Sequence, residues 1–90
     1  MSKNIVCYSL GSIEPRKRTK FNKELYGYVD KSNHSKYTYE RKGILTKIPF
    51  QKPLASVIIL ASENAKKVIK HLKKYKAKYI NYQIKELAQE

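Results

Sequence analysis

The segment Ile5 to Leu10, IVCYSL, is dense in β-branched and aromatic side chains and is closed by Gly11, a pattern that predicts a strand. Pro15 suits the first turn of a helix, and a helix follows from Arg16 to about Tyr26, stopping before Gly27. Phe21 and Leu25, four apart, share its buried face. Tyr26 to Asp30 and Tyr37 to Ile48 read as the two strands of a hairpin. Between them runs Lys31-Ser32-Asn33-His34-Ser35-Lys36, a polar stretch rich in turn formers. Gly43 falls where the alternation changes phase and marks a bulge or bend. Pro49 and Pro53 then fence a short connection.

Ser56 to Ala61 is almost continuously apolar, which predicts a strand with both faces covered. Ser62 suits the N-cap of a following helix, and Glu63 suits its positive end. Ala65, Val68, Ile69 and Leu72 recur at helical spacing up to about Tyr75. Lys78 to Leu87 fits two patterns. Tyr79, Ile80, Tyr82 and Ile84 suit a strand, while Ile80, Ile84 and Leu87 also recur at i, i+4, i+7, and no Gly or Pro separates them from the preceding helix. The β-rich composition favours a terminal strand. The expected class is α+β, a small and mainly antiparallel sheet with one or two helices packed on one face. Ninety residues make a single domain, 1–90, with one thin core.

Charge changes this picture most. Twenty Lys and Arg face seven Asp and Glu, a formal net charge of +13. So much like charge in one compact body repels itself, and a bound polyanion relieves the repulsion while releasing its own counterions. An AT-rich genome would enrich Lys, Ile, Tyr and Asn without any selection for binding, and a thermophile would add Lys together with Glu. Glu is scarce here, so the excess positive charge points to a basic working surface for nucleic acid.

Two segments carry that charge. Arg16, Lys17, Arg18, Lys20 and Lys23 lie within eight positions without an acid among them. Arg holds phosphate oxygens in a bidentate fork, and Lys acts as a point charge. The second segment is the helix whose non-core positions are Lys66, Lys67, Lys70, His71, Lys73 and Lys74. Its Lys66–Lys70 and Lys70–Lys74 pairs each cost about 0.2–0.5 kcal/mol, where a merely solvated helix would interleave Glu. Arg41 and Lys42 on the hairpin extend the basic set.

Eight of the ten aromatic residues are Tyr. Strand alternation puts Tyr26 with Tyr28, and Tyr37 with Tyr39 and Arg41. Tyr28, Tyr37 and Tyr39 are thus candidates for base stacking, although polar Thr38, Glu40 and Lys42 on the opposite face argue that the tyrosines pack inward. Asp30 with Glu40-Arg41-Lys42 resembles the D…ExK arrangement of metal-dependent nucleases, in which two carboxylates hold a divalent cation. The match is three common residue types at loose spacing. His34, in the turn, and His71 read as surface residues.

No Gly-rich phosphate loop, paired-His metal motif, nucleophile elbow or zinc-finger spacing occurs, so no catalytic residue, metal or cofactor is expected. The single Cys7 excludes an internal disulfide and suits a reducing, cytoplasmic compartment. No apolar run approaches the length of a membrane span. The function expected is non-catalytic binding of backbone phosphates with low sequence specificity, RNA ahead of DNA, within a ribonucleoprotein assembly. Docking on an acidic protein partner through an edge strand is the alternative, with the small nuclease behind it.

Overall fold

The structure, a computed structural model, describes residues 2–31 and 38–85. Its elements are β1 (Ser2–Ser9), α1 (Pro15–Tyr26), β2 (Tyr28–Lys31), β3 (Thr38–Arg41), β4 (Phe50–Leu54), β5 (Val57–Ala61), α2 (Ser62–Lys74) and β6 (Lys78–Lys85). Four strands form a sheet in the order β4-β5-β1-β6, with every neighbouring pair antiparallel. A separate two-stranded hairpin, β2-β3, is inserted between α1 and β4. With the hairpin set aside, the connectivity is β-α-β-β-α-β, a split βαβ arrangement. The class is α+β, as the hydrophobic pattern predicts.

Period-two alternation decides which side of the sheet is buried. Asn4, Val6 and Tyr8 of β1 and Ile58 and Leu60 of β5 point inward. Phe21 and Leu25 of α1 and Ala65, Val68 and Leu72 of α2 close over them in a single cluster. Phe21, Leu25, Ile58, Leu72, Val6 and Val68 are fully enclosed, and each contributes about 2 kcal/mol by leaving water.

The opposite face is a correction to the sequence reading. β5 is not covered on both sides, because both helices follow their apolar stripes to the inner face. Val57 and Ile59 stay half-buried, while Ile58 and Leu60 between and beside them are enclosed.

The segment between the helices also departs from expectation. Tyr26 is the last residue of α1 and not the start of a strand. The second hairpin strand ends at Arg41, and residues 44–47 turn back so that Leu45 enters the core. The amides of Ile44 and Leu45 donate to the carbonyls of Glu24 and Leu25, both at 2.9 Å, satisfying acceptors that the end of α1 leaves open. Gly43 is neither bulge nor bend but a close crossing: a Cβ there would lie 2.2 Å from the Gly27 nitrogen. Gly27 itself has φ 81° and could not carry a Cβ beside the Arg41 carbonyl either. The stretch fenced by prolines is the edge strand β4. Pro53 is tolerated there because the pairing with β5 shifts between Gln51 and Leu54.

Strand β5 runs into α2 without a linker, so Ser62 lies inside the helix and caps nothing. Its hydroxyl donates instead to Asn4 Oδ1 at 2.5 Å, and Asn4 Nδ2 donates to Asn81 Oδ1 at 2.7 Å. His71 is not a surface residue. It is 5% exposed, stacked on Phe21 at 4.5 Å, and its Nε2 donates to the Phe21 carbonyl at 3.1 Å.

The tail is the strand β6 as far as Lys85. What separates it from α2 is Lys76 in the left-handed region, φ 56°. The Ala77 amide donates to the Leu72 carbonyl at 3.0 Å and the Lys76 amide to Lys73 at 3.1 Å, a Schellman closure with lysine where glycine is usual. Lys76→Gly should therefore stabilise the fold by about 1 kcal/mol, read as a higher midpoint in urea unfolding. An unchanged or lower midpoint would show that the turn is not strained.

Candidate nucleic-acid interface

The two basic segments lie in one layer, because α1 and α2 pack side by side on the inner face of the sheet. Phe21 of α1 meets His71 and, edge-on, Tyr75 at 5.5 Å. Tyr75 donates its hydroxyl to Glu24, and Lys74 pairs with Glu24 at 3.5 Å. The hydrogen bond from Tyr75 lowers the Glu24 pKa, with Lys74 and His71 adding to it, while burial and the Glu24 contact push the Tyr75 phenol up to about 12. One of the few acids of the helix layer is thereby consumed in joining the helices.

On α2 the core positions Ala65, Val68, His71 and Leu72 take one side, and Lys66, Lys67, Lys70, Lys73 and Lys74 are exposed on the other. Lys70 is three or four residues from each of the other four, so it stands at the centre of the cluster, with side-chain roots about 5–6 Å apart. Lys66, Lys70 and Lys73 surround Ile69, and Lys67, Lys70 and Lys74 border a groove of about 330 Å³ with Ile44 and His71 at its floor. Lys74 alone of the five has an ion-pair partner among the described residues.

On α1, Arg16, Lys17, Lys20 and Lys23 are exposed. Arg16, Lys20 and Lys23 fall at i, i+4, i+7, one stripe turned away from Phe21 and Leu25. Arg18 is different: half-buried, it donates Nε to the Ile13 carbonyl at 2.6 Å and holds the loop before the helix.

The hairpin continues directly from the end of α1. Its register places Tyr28 opposite Arg41 and Asp30 opposite Tyr39, so these four share one side. Tyr28 and Tyr39 are 38% and 52% exposed, which corrects the expectation that they pack inward; a two-stranded ribbon has no second layer to receive them. Tyr37 and His34 lie outside the described residues. Arg41 sits over the Tyr39 ring at 5.6 Å and bonds Asp30 at 3.2 Å, and Lys23 reaches over Tyr28 at 4.8 Å. Lys42 is exposed beyond the end of β3.

Glu40 pairs with Val29 on the reverse side of the ribbon from Asp30. The two carboxylates that the D…ExK reading needs together thus point apart. Among the described residues no three His, Cys, Asp or Glu side chains converge on a metal-sized site.

Sequence reasoning missed Phe50 and Lys52. Phe50 lies 6.2 Å from the Tyr26 ring and Lys52 lies over that ring at 4.3 Å, beside a cleft of about 390 Å³ at the base of the hairpin that Phe50 and Tyr26 line. No local signal could have joined residues so far apart in the chain. No family model, curated protein or solved structure matches this chain. Among the described residues no helix is long and apolar enough to cross a membrane.

Two outcomes follow from this geometry. Arg18→Gln should lower stability by about 1 kcal/mol through loss of the Ile13 bond, while Arg16→Gln should change it by less than about 0.5, both read from urea midpoints. Equal effects would place Arg18 back among the solvated cations. The lowered Glu24 pKa stabilises the fold fully above its ordinary value of 4.5, and this contribution is lost as pH falls through the folded value. Glu24→Gln should therefore be less stable than wild type at neutral pH by about 1 kcal/mol and converge on it as pH falls through the folded Glu24 value. A gap that persists in acid would mean that packing, not charge, is what Glu24 supplies.

Proposed function

We propose that this protein binds nucleic acid without catalysis, gripping backbone phosphates through its helix layer. The observation that carries the reading is the α2 lysine cluster. Five exposed lysines are centred on Lys70, and four of them lack an ion-pair partner among the described residues, although like-charged neighbours destabilise the helix. The Arg16, Lys20 and Lys23 stripe on α1 extends the same layer. Contacts of this kind supply affinity but no base information, so sequence specificity is low.

RNA is favoured over DNA because of the hairpin. Tyr28 and Tyr39, exposed beside Lys23 and Arg41, suit unpaired bases, which stack on aromatic rings next to cations. Membership of a ribonucleoprotein assembly and a cytoplasmic location belong to the same reading, in keeping with a single unpaired thiol at Cys7.

Fluorescence anisotropy with labelled single-stranded RNA and duplex DNA across a salt series tests this. With about four to six phosphates neutralised, log K should fall with log salt at a slope of roughly −4 to −5 on duplex, less on single strands. Lys70→Gln should weaken binding to all sequences alike and make the slope shallower by about 1. A slope near zero would remove the polyanion reading, and co-purification of one acidic protein with no nucleic acid would replace it with the docking subunit.

A further inference from the structure

We propose that the outer face of the sheet is the interface of a symmetric dimer of this chain. The register places Leu54, Val57, Cys7 and Ile80 in one row across the four strands. Ile59, Ile5 and Tyr82 form the next row, with Gln51 at its edge. Leu54 is 70% exposed, Ile80 54% and Tyr82 60%. These side chains alternate with the inward set that makes the core, so the same strands carry two apolar faces and the chain's helices cover one.

The size fits a self-association surface. Strands of eight, five, five and eight residues, about 4.8 Å apart and rising about 3.3 Å per residue, project a face of about 400 Å² per copy. Two copies then cover about 800 Å², the scale of a weak, concentration-dependent interface, and an apolar patch of about 400 Å² is of the size that is often functional on a monomer.

Charge selects the occupant. The two central rows contain no ionic side chain; Lys3 and Lys78 stand at opposite ends of the strands, in the rows beyond. Phosphates would find no counter-charge in the middle of this face, so nucleic acid does not fit it. A second copy does. Sheets packed about 10 Å apart, each backed by helices about 10 Å thick, put the two lysine layers on opposite outer surfaces about 30 Å apart. That separation exceeds the screening length of about 8 Å at physiological salt, so the net charge of the chain does not prevent pairing. An isologous contact also repeats the apolar rows on both partners without requiring a second kind of surface.

The proposal goes beyond phosphate binding, and self-association is tested on protein stripped of nucleic acid in high salt and returned to physiological salt. Sedimentation velocity should show the mass rising from the 10.6 kDa of one chain toward twice that value as concentration goes from about 5 to 500 μM. Maleimide labelling of Cys7, in the first row, should slow at least about fivefold over the same range. Ile80→Glu with Tyr82→Glu, both at exposed positions, should keep the circular dichroism spectrum, remain at one chain mass and label at a concentration-independent rate. A wild type that stays monomeric at the highest concentration overturns the proposal whatever the variant does. So does a dimer that survives the double substitution. Cys7 protected by an added oligonucleotide, at one chain per oligonucleotide, would assign the face to nucleic acid instead.

Discussion

The Phe21 ring sits where three elements meet. It touches Tyr8 of the central strand at 5.7 Å, His71 of α2 at 4.5 Å and Tyr75 just past that helix, and its own carbonyl accepts the His71 proton. Phe21 and Leu25 are the buried residues of α1, so this junction is what holds the first helix against both the sheet and the second helix. Everything basic on α1 is positioned by it. Burial of the Tyr8 phenol, hydrogen-bonded to Tyr26 at 2.9 Å, raises its pKa and keeps the floor of the junction neutral.

Because the junction draws both helices to one side, the molecule has two unlike faces. One is a helix layer whose outward positions are mostly lysine and arginine, with one of its few acids, Glu24, consumed in the helix–helix contact. The other is an apolar sheet face whose ionic groups stand only at the strand ends. A chain with a net charge of +13 can hold a second copy against such a face only if its cations lie elsewhere, and the topology puts them there. The proposed polyanion binding and the proposed self-association therefore fall on different surfaces and do not compete for the same residues.

Much of this was legible in the chain. Pro15 and the Phe21–Leu25 spacing defined α1, the run from Val57 to Ala61 defined β5, and Ala65, Val68 and Leu72 defined α2, because each is a local periodicity that a single element must satisfy. The clustering of Lys66 to Lys74 around Lys70 followed from helical spacing alone. Cationic helix positions need no tertiary partner to be recognised, since they are exposed wherever the apolar stripe is buried.

What the chain could not show was everything that depends on residues distant in sequence meeting in space. His71 reads as one more polar position on a basic helix and is buried only because Phe21, fifty residues earlier, stacks on it. Gly27 reads as a helix stop and Gly43 as a bulge or bend, and together they form a backbone crossing. Asp30 and Glu40 look like a metal pair and fall on opposite sides of a ribbon whose register only the folded pairing sets. Local sequence determined the elements and the charge of the helix surfaces, because propensity, periodicity and exposure are properties of short segments. Tertiary structure decided which face of each strand is covered, because an alternating strand offers two faces and only the placement of the helices chooses between them.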